Sequence, residues 1–200
     1  AGLTAIGMSA AYAVEVVGLG PEIAAGAVAA FGVFNGAGRP LFGRVSDHVG
    51  ARRTAVLAFV LIIVGAALAA GAGLVARPDI AAETGTAGGA VAAAPGDISS
   101  TYSPVAVALY LAGFSVLWLL LGGWLAIAPT ATMEFFGRHN YAANYGIVYT
   151  AYGVGALSGG AVSAYLTDLT GSLATTFYAV IPAAVVGIAV ALTMIPRRSA

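Results

Sequence analysis

From Thr54 to Ala76 the chain carries no charged side chain, and the same holds from Pro104 to Met133, from Tyr141 to Thr167 and from Gly171 to Pro196. A helix needs about 20 such residues to cross the hydrocarbon core of a bilayer. Hydrophobic residues make up 60% of the 200-residue chain and charged residues only 8%, with a mean hydropathy of +0.95. A soluble domain carries about 25% charge. The polar side chains here could not cover a globule, so lipid is the solvent for most of the chain. The composition also removes several function classes. Eight arginines, no lysine and eight acids leave no net charge and no basic surface for nucleic acid. Without cysteine there is no disulfide, thiolate nucleophile or cysteine metal site.

Six apolar segments follow, at about 1–18, 21–45, 54–75, 104–128, 141–166 and 173–195. The first is short for a crossing and is apolar from Ala1 onward, so it reads as the end of a span in a longer protein. Residues 76–103 are rich in Gly, Pro, Ser, Thr and Asp and read as an aqueous loop. Charge orients the bundle. Arg44, Arg52, Arg53, Arg138, Arg197 and Arg198 fall on one side; Arg77, Asp79, Glu83, Asp97 and Asp168 fall on the other. Arginine collects on the cytoplasmic side. The connection after the second segment, the connection after the fourth and the C-terminus are therefore expected inside a cytoplasmic membrane, with 76–103 outside.

Twenty-eight glycines would be costly in soluble helices but let helices approach closely in lipid. Gly32 with Gly36, and Gly155 with Gly159, have the spacing of a small-residue packing face. Plain packing accounts for them, and helices that rock against each other would also use them.

Arg39 stands inside the second segment. A centred arginine costs about 2.5–3.5 kcal/mol on insertion scales. It lies about 12 Å along the helix from Asp47, and its side chain could reach back to the interface. Against that, Pro40 bends the helix and frees the carbonyl of Gly36, Asn35 lies one turn away on the same face, and Gly36, Ala37 and Gly38 crowd the site. An inward-facing cation at this depth is an anion site. On the fifth segment Tyr141, Tyr145, Tyr149 and Tyr152 form one stripe. Tyr141 and Tyr145 suit an interfacial belt. Tyr149 and Tyr152 lie deeper, and either line a cavity or pack and bond locally, for example to Thr150. Trp118 and Trp124 point to different faces of the fourth segment, so one at most faces a cavity. Enzyme readings find little. His48 and His139 are in loops with no metal-ligand spacing, Ser158 has no histidine to activate it, and no phosphate-cradling glycine loop is present. Glu134 and Arg138 are spaced as an i, i+4 pair. No cofactor is expected.

Gly43, Asp47, Gly50, Arg52 and Arg53 spell G-x-x-x-D-x-x-G-x-R-R between the second and third segments. The glycines suit a short reversal at the membrane face, the arginines suit the interface, and Asp47 suits a helix N-terminus. With this motif the sequence resembles the major facilitator superfamily. "GRPLFGRVSDHVGARR", "PTATMEFFG", "NYGIVYTAYGVGALSGG" and "LTDLTGS" are similar to the oxalate/formate antiporters and their monocarboxylate-transporter relatives. The resemblance implies an all-α polytopic membrane protein. The chain would be the C-terminal six-helix half of a twelve-helix bundle, with its first helix truncated and an N-terminal half as partner. It implies that Asp47 helps latch the cytoplasmic side, and that Arg39 grips a substrate carboxylate. Asn35 stands where proton-coupled relatives carry an aspartate, so this position cannot titrate. Tyr152 stands where oxalate exchangers carry lysine. A dianion facing one fixed cation would be undercompensated, which favours a monoanion such as formate, lactate or pyruvate over oxalate. The expected function is secondary transport of a small carboxylate by alternating access. A non-transporting sensor or scaffold on the same fold is the alternative.

Overall fold

The computed structural model describes residues 2–76 and 103–195. The expected loop over 76–103 falls almost wholly outside them, as do Arg77, Arg197 and Arg198. Among the described residues every element is helical. Helix α1 spans Gly2–Ala11 and widens into a π-helical turn at Tyr12–Val16. Gly18, at φ 80°, ends it. Helix α2 spans Pro21–Val75, α3 spans Pro104–Phe136, α4 spans Tyr141–Thr170 and α5 spans Thr175–Met194. Prolines open α2 and α3 at the position where a missing N–H costs nothing.

Helix α2 is two limbs, 21–49 and 51–75, joined at Gly50. That residue has φ 82° and ψ 160°, a conformation essentially closed to side chains with a Cβ. The connection expected between the second and third segments is thus one glycine wide. The limbs run in opposite directions along α3. On the first limb, Phe31 packs on Tyr110, Phe114 and Trp118, while Gly43 approaches Ala126. On the second, Gly65 meets Leu117 and Gly71 meets Leu109. Helix α5 lies antiparallel to the second limb, with Ala174 against Gly73 at one end and Gly187 against Phe59 further along.

Helix α3 continues through Pro129 beyond the apolar segment of 104–128. Threonine hydroxyls back-bond to carbonyls around the proline, Thr130 to Ala126 and Thr132 to Ala128. Gly137, at φ 69°, then ends the helix before Arg138. Glu134 and Arg138 therefore do not share a helical face, and their i, i+4 spacing is not realised.

The core at one end of the bundle is aromatic. Tyr12, Phe31, Tyr110, Phe114 and Phe177 are buried together, with centroids 4.8–6.1 Å apart. Their polar atoms are satisfied across helices: Tyr12 donates to Ala69 O at 2.5 Å, and Tyr110 donates to Ser9 O at 3.0 Å. In lipid these bonds and backbone contacts, rather than water exclusion, hold helices together.

Candidate functional site

Arg39 is exposed on the first limb of α2 and looks into a cavity of about 500 Å³. Leu125 of α3 and Ala142, Tyr145, Gly146 and Tyr149 of α4 complete its lining. No carboxylate is among these residues. Pro40, inside the same helix, follows directly. The guanidinium thus faces a concave space edged by two phenols, at a place where three helices meet.

The four tyrosines of α4 form a continuous ladder. Tyr141 stacks on Tyr145 with centroids 5.7 Å apart, Tyr145 meets Tyr149 at 5.7 Å, and Tyr149 stacks on Tyr152 at 5.3 Å. Tyr149 is 46% exposed, so it is not a core residue of this bundle. Thr150 donates to Ile147 O at 2.7 Å and so satisfies itself on its own helix. Tyr152 is half-buried and lies within the electrostatic reach of Arg39. It also lines a second cavity, of about 550 Å³, whose other walls include Phe59, Ile62, Leu120, Trp124 and Val180. The Tyr149–Tyr152 stack therefore stands between a charged cavity and an apolar one.

The two tryptophans part company. Trp124 lines the apolar cavity and meets Phe59 edge-on at 5.0 Å. Trp118 is 8% exposed, packs on Phe31 and donates its Nε1 proton to Ser9 Oγ at 2.9 Å. It is a core residue and lines neither cavity. Asn35 likewise does not line the cavity that Arg39 faces. It packs against Gly122 of α3, close enough that a methyl group at Gly122 would overlap the Asn35 carbonyl. Its Oδ1 is buried without a hydrogen-bond partner among the described residues. The close crossing of α2 and α3 engages Asn35, while Arg39 faces the cavity.

The loop motif is drawn to one end. Gly43 is half-buried beside Ala126. Asp47 and Arg53 are exposed, and Gly50 is buried at the hinge. Arg52 donates to Leu192 O at 2.5 Å, in the last turn of α5, where carbonyls lack intrahelical partners. The motif thus ties the hinge to the end of α5. Tyr145 lines the charged cavity and Phe59 the apolar one, and the sequence alone selected neither. Tyr145 was legible as part of the stripe. Phe59 sits in an unbroken apolar run with nothing to distinguish it.

No family model matches the chain, and no solved structure matches it. The chain is similar to "Uncharacterized MFS-type transporter YhjX" of Escherichia coli (strain K12). The two are 24% identical over 156 residues, covering 78% of this chain and 31% of that protein. The chain thus spans less than a third of the length of the relative it matches. Among the described residues, four helices are long and apolar enough to cross a membrane. Helices and likeness agree on the fold class, a polytopic helical membrane protein built like part of a major facilitator. The likeness supports membership of that superfamily and reaches no subgroup within it.

Proposed function

We propose that the protein carrying this chain moves a small carboxylate across the cytoplasmic membrane by alternating access, as one half of a two-part bundle. The observation that supports this most directly is the cavity of about 500 Å³ that Arg39 shares with Tyr145 and Tyr149 and with no acidic side chain. A guanidinium is planar, permanently charged and matched to a carboxylate by two parallel hydrogen bonds. Arg39 is exposed to this cavity with no carboxylate in its lining, so an arriving anion gives its charge a partner at membrane depth. The phenols give the carboxylate further donors and close the cavity from the α4 side. Nothing is done chemically to the cargo, and no cofactor is used.

One guanidinium in this cavity matches one negative charge, so the cargo is a monoanion of the formate, lactate or pyruvate kind. Oxalate would need a second cation from elsewhere in the whole protein. Exchange of one carboxylate for another is the simplest cycle for a site whose lining holds no acidic side chain to carry a proton. The likeness to a transporter-type protein favours transport over the sensor or scaffold reading.

The test is uptake of labelled lactate or formate by proteoliposomes holding the whole protein. Arg39→Ala should cut carboxylate affinity by about 10-fold or more, the usual consequence of deleting hydrogen bonds to a charged group. Arg39→Lys should fall between, keeping charge but losing the fork. Uptake unchanged in Arg39→Ala would remove this cavity from the pathway.

A further inference from the structure

The charged and apolar cavities share a wall, and this bears on cargo shape. Tyr149 lines the charged cavity and Tyr152 lines the apolar one, and their rings are stacked 12° from parallel. Leu125 and Trp124, adjacent on α3, divide between the two in the same way. A formate or acetate ion would occupy only the space beside Arg39. The larger cavity, about 550 Å³, would then stand next to it without a role.

Its lining is selective. Phe59, Ile62, Leu120, Leu121, Trp124 and Val180 present hydrocarbon and ring faces, and no charged side chain borders it. Trp124 and Phe59 meet edge-on, leaving ring surface for a third ring or a branched chain to pack against. Ligand sites of this size are typically apolar, with a few polar groups that fix orientation. Here the polar group stands at one end only.

Resting on the carboxylate-transport reading above, we propose that the preferred cargo is an amphipathic monocarboxylate, with its carboxylate on Arg39 and a branched or phenyl tail passing the Tyr149–Tyr152 stack into the Trp124–Phe59 cavity. Selectivity then comes from the tail, because every monocarboxylate offers Arg39 the same head. A tail of one ring or a branched chain gains contact there, whereas formate gains none. A second charge at the far end of the cargo would be buried against hydrocarbon, so dicarboxylates are rejected.

The test uses the whole protein in proteoliposomes and compares acetate, 3-methylbutanoate and phenylacetate, as labelled substrates and as competitors. Affinity should rise at least about tenfold from acetate to phenylacetate, a modest return for burying several carbons. Gly155 lines the apolar cavity, and a Cβ there meets nothing within 4 Å. Gly155→Leu should therefore place its side chain in the tail space and lower the phenylacetate-to-acetate ratio about tenfold. Equal affinity for the three acids in the unmodified protein would overturn the proposal while leaving carboxylate transport through Arg39 intact. A tail preference that Gly155→Leu leaves unmoved, as when lipid fills this cavity and the tail binds elsewhere, would also overturn it. Uptake of none of the acids would remove both readings together.

Discussion

Ser9 and Ser46 are both fully buried serines with opposite fates. Ser9 Oγ donates to Ala5 O at 2.6 Å and accepts the Trp118 Nε1 proton, while its carbonyl accepts from Tyr110. Ser46 Oγ is buried with no hydrogen-bond partner among the described residues. Ser9→Ala strands an indole N–H and should cost about 0.6–1.7 kcal/mol, the range of interhelical bonds in membranes. Ser46→Ala removes an unsatisfied hydroxyl and should be neutral or stabilising by up to about 1 kcal/mol. Unfolding midpoints in detergent check both, and a Ser46→Ala protein less stable than Ser9→Ala would contradict the assignment. The same pair marks what could be read beforehand at this scale. Arg39 and the tyrosine stripe were legible, because a charge in an apolar run and a repeat at helical spacing are both visible in one dimension. The placement of Trp118 was not. Its partner lies 109 residues away in sequence, so no local pattern records the bond.

Helix pairing depends on glycines that spacing did not select. Gly32 and Gly36 carry the small-residue pattern, yet a Cβ at either meets nothing within 4 Å among the described residues. Of the other pair, Gly155 is also open and Gly159 abuts Thr4. The close crossings use Gly38 and Gly122 instead, where an added methyl would overlap the backbone carbonyls of Leu119 and Asn35. Gly65 and Gly113 form a second such approach. A packing face needs a small residue where two helices cross, and one helix's sequence does not say where its partner crosses it. Gly122→Ala should therefore destabilise the bundle by about 1–3 kcal/mol, as overpacking of a tight core does. Gly36→Ala should leave this bundle's stability unchanged or raise it by up to about 1 kcal/mol through helix propensity. The hinge was more legible, since a glycine between two apolar runs was expected to make the reversal. Gly50→Ala should cost about 1–3 kcal/mol, because its backbone geometry is closed to alanine. A thermal unfolding series of these three variants in one detergent separates the cases.

For the whole molecule, the apolar runs foretold helices, and the structure adds which of them enclose a core. Helix α4 buries only Ser163 among its described residues, whereas α2 and α3 bury many. An exposed helix bearing the tyrosine ladder is not distinguishable from a buried one by composition, because lipid and protein interiors are equally apolar. The charge pattern is a whole-molecule property of another kind. The hinge at Gly50, the end of α3 at Phe136 and the end of α5 at Met194 share one end of the bundle, as the parallel course of the first limb with α3 and the Arg52–Leu192 bond require. Arg44, Arg53 and Arg138 flank these same points in the chain. The turn at Gly171, between α4 and α5, lies at the opposite end beside Ser172. Positive charge should hold the first end in the cytoplasm. The chain has no cysteine, so a single introduced one reports its own side. In a background without other cysteines, His139→Cys should react with an impermeant thiol reagent only when the cytoplasmic face is open to it. Ser172→Cys should react only from outside. The reverse pattern would invert the assigned orientation while leaving the helix packing as it is, because packing depends on crossings and orientation on charge.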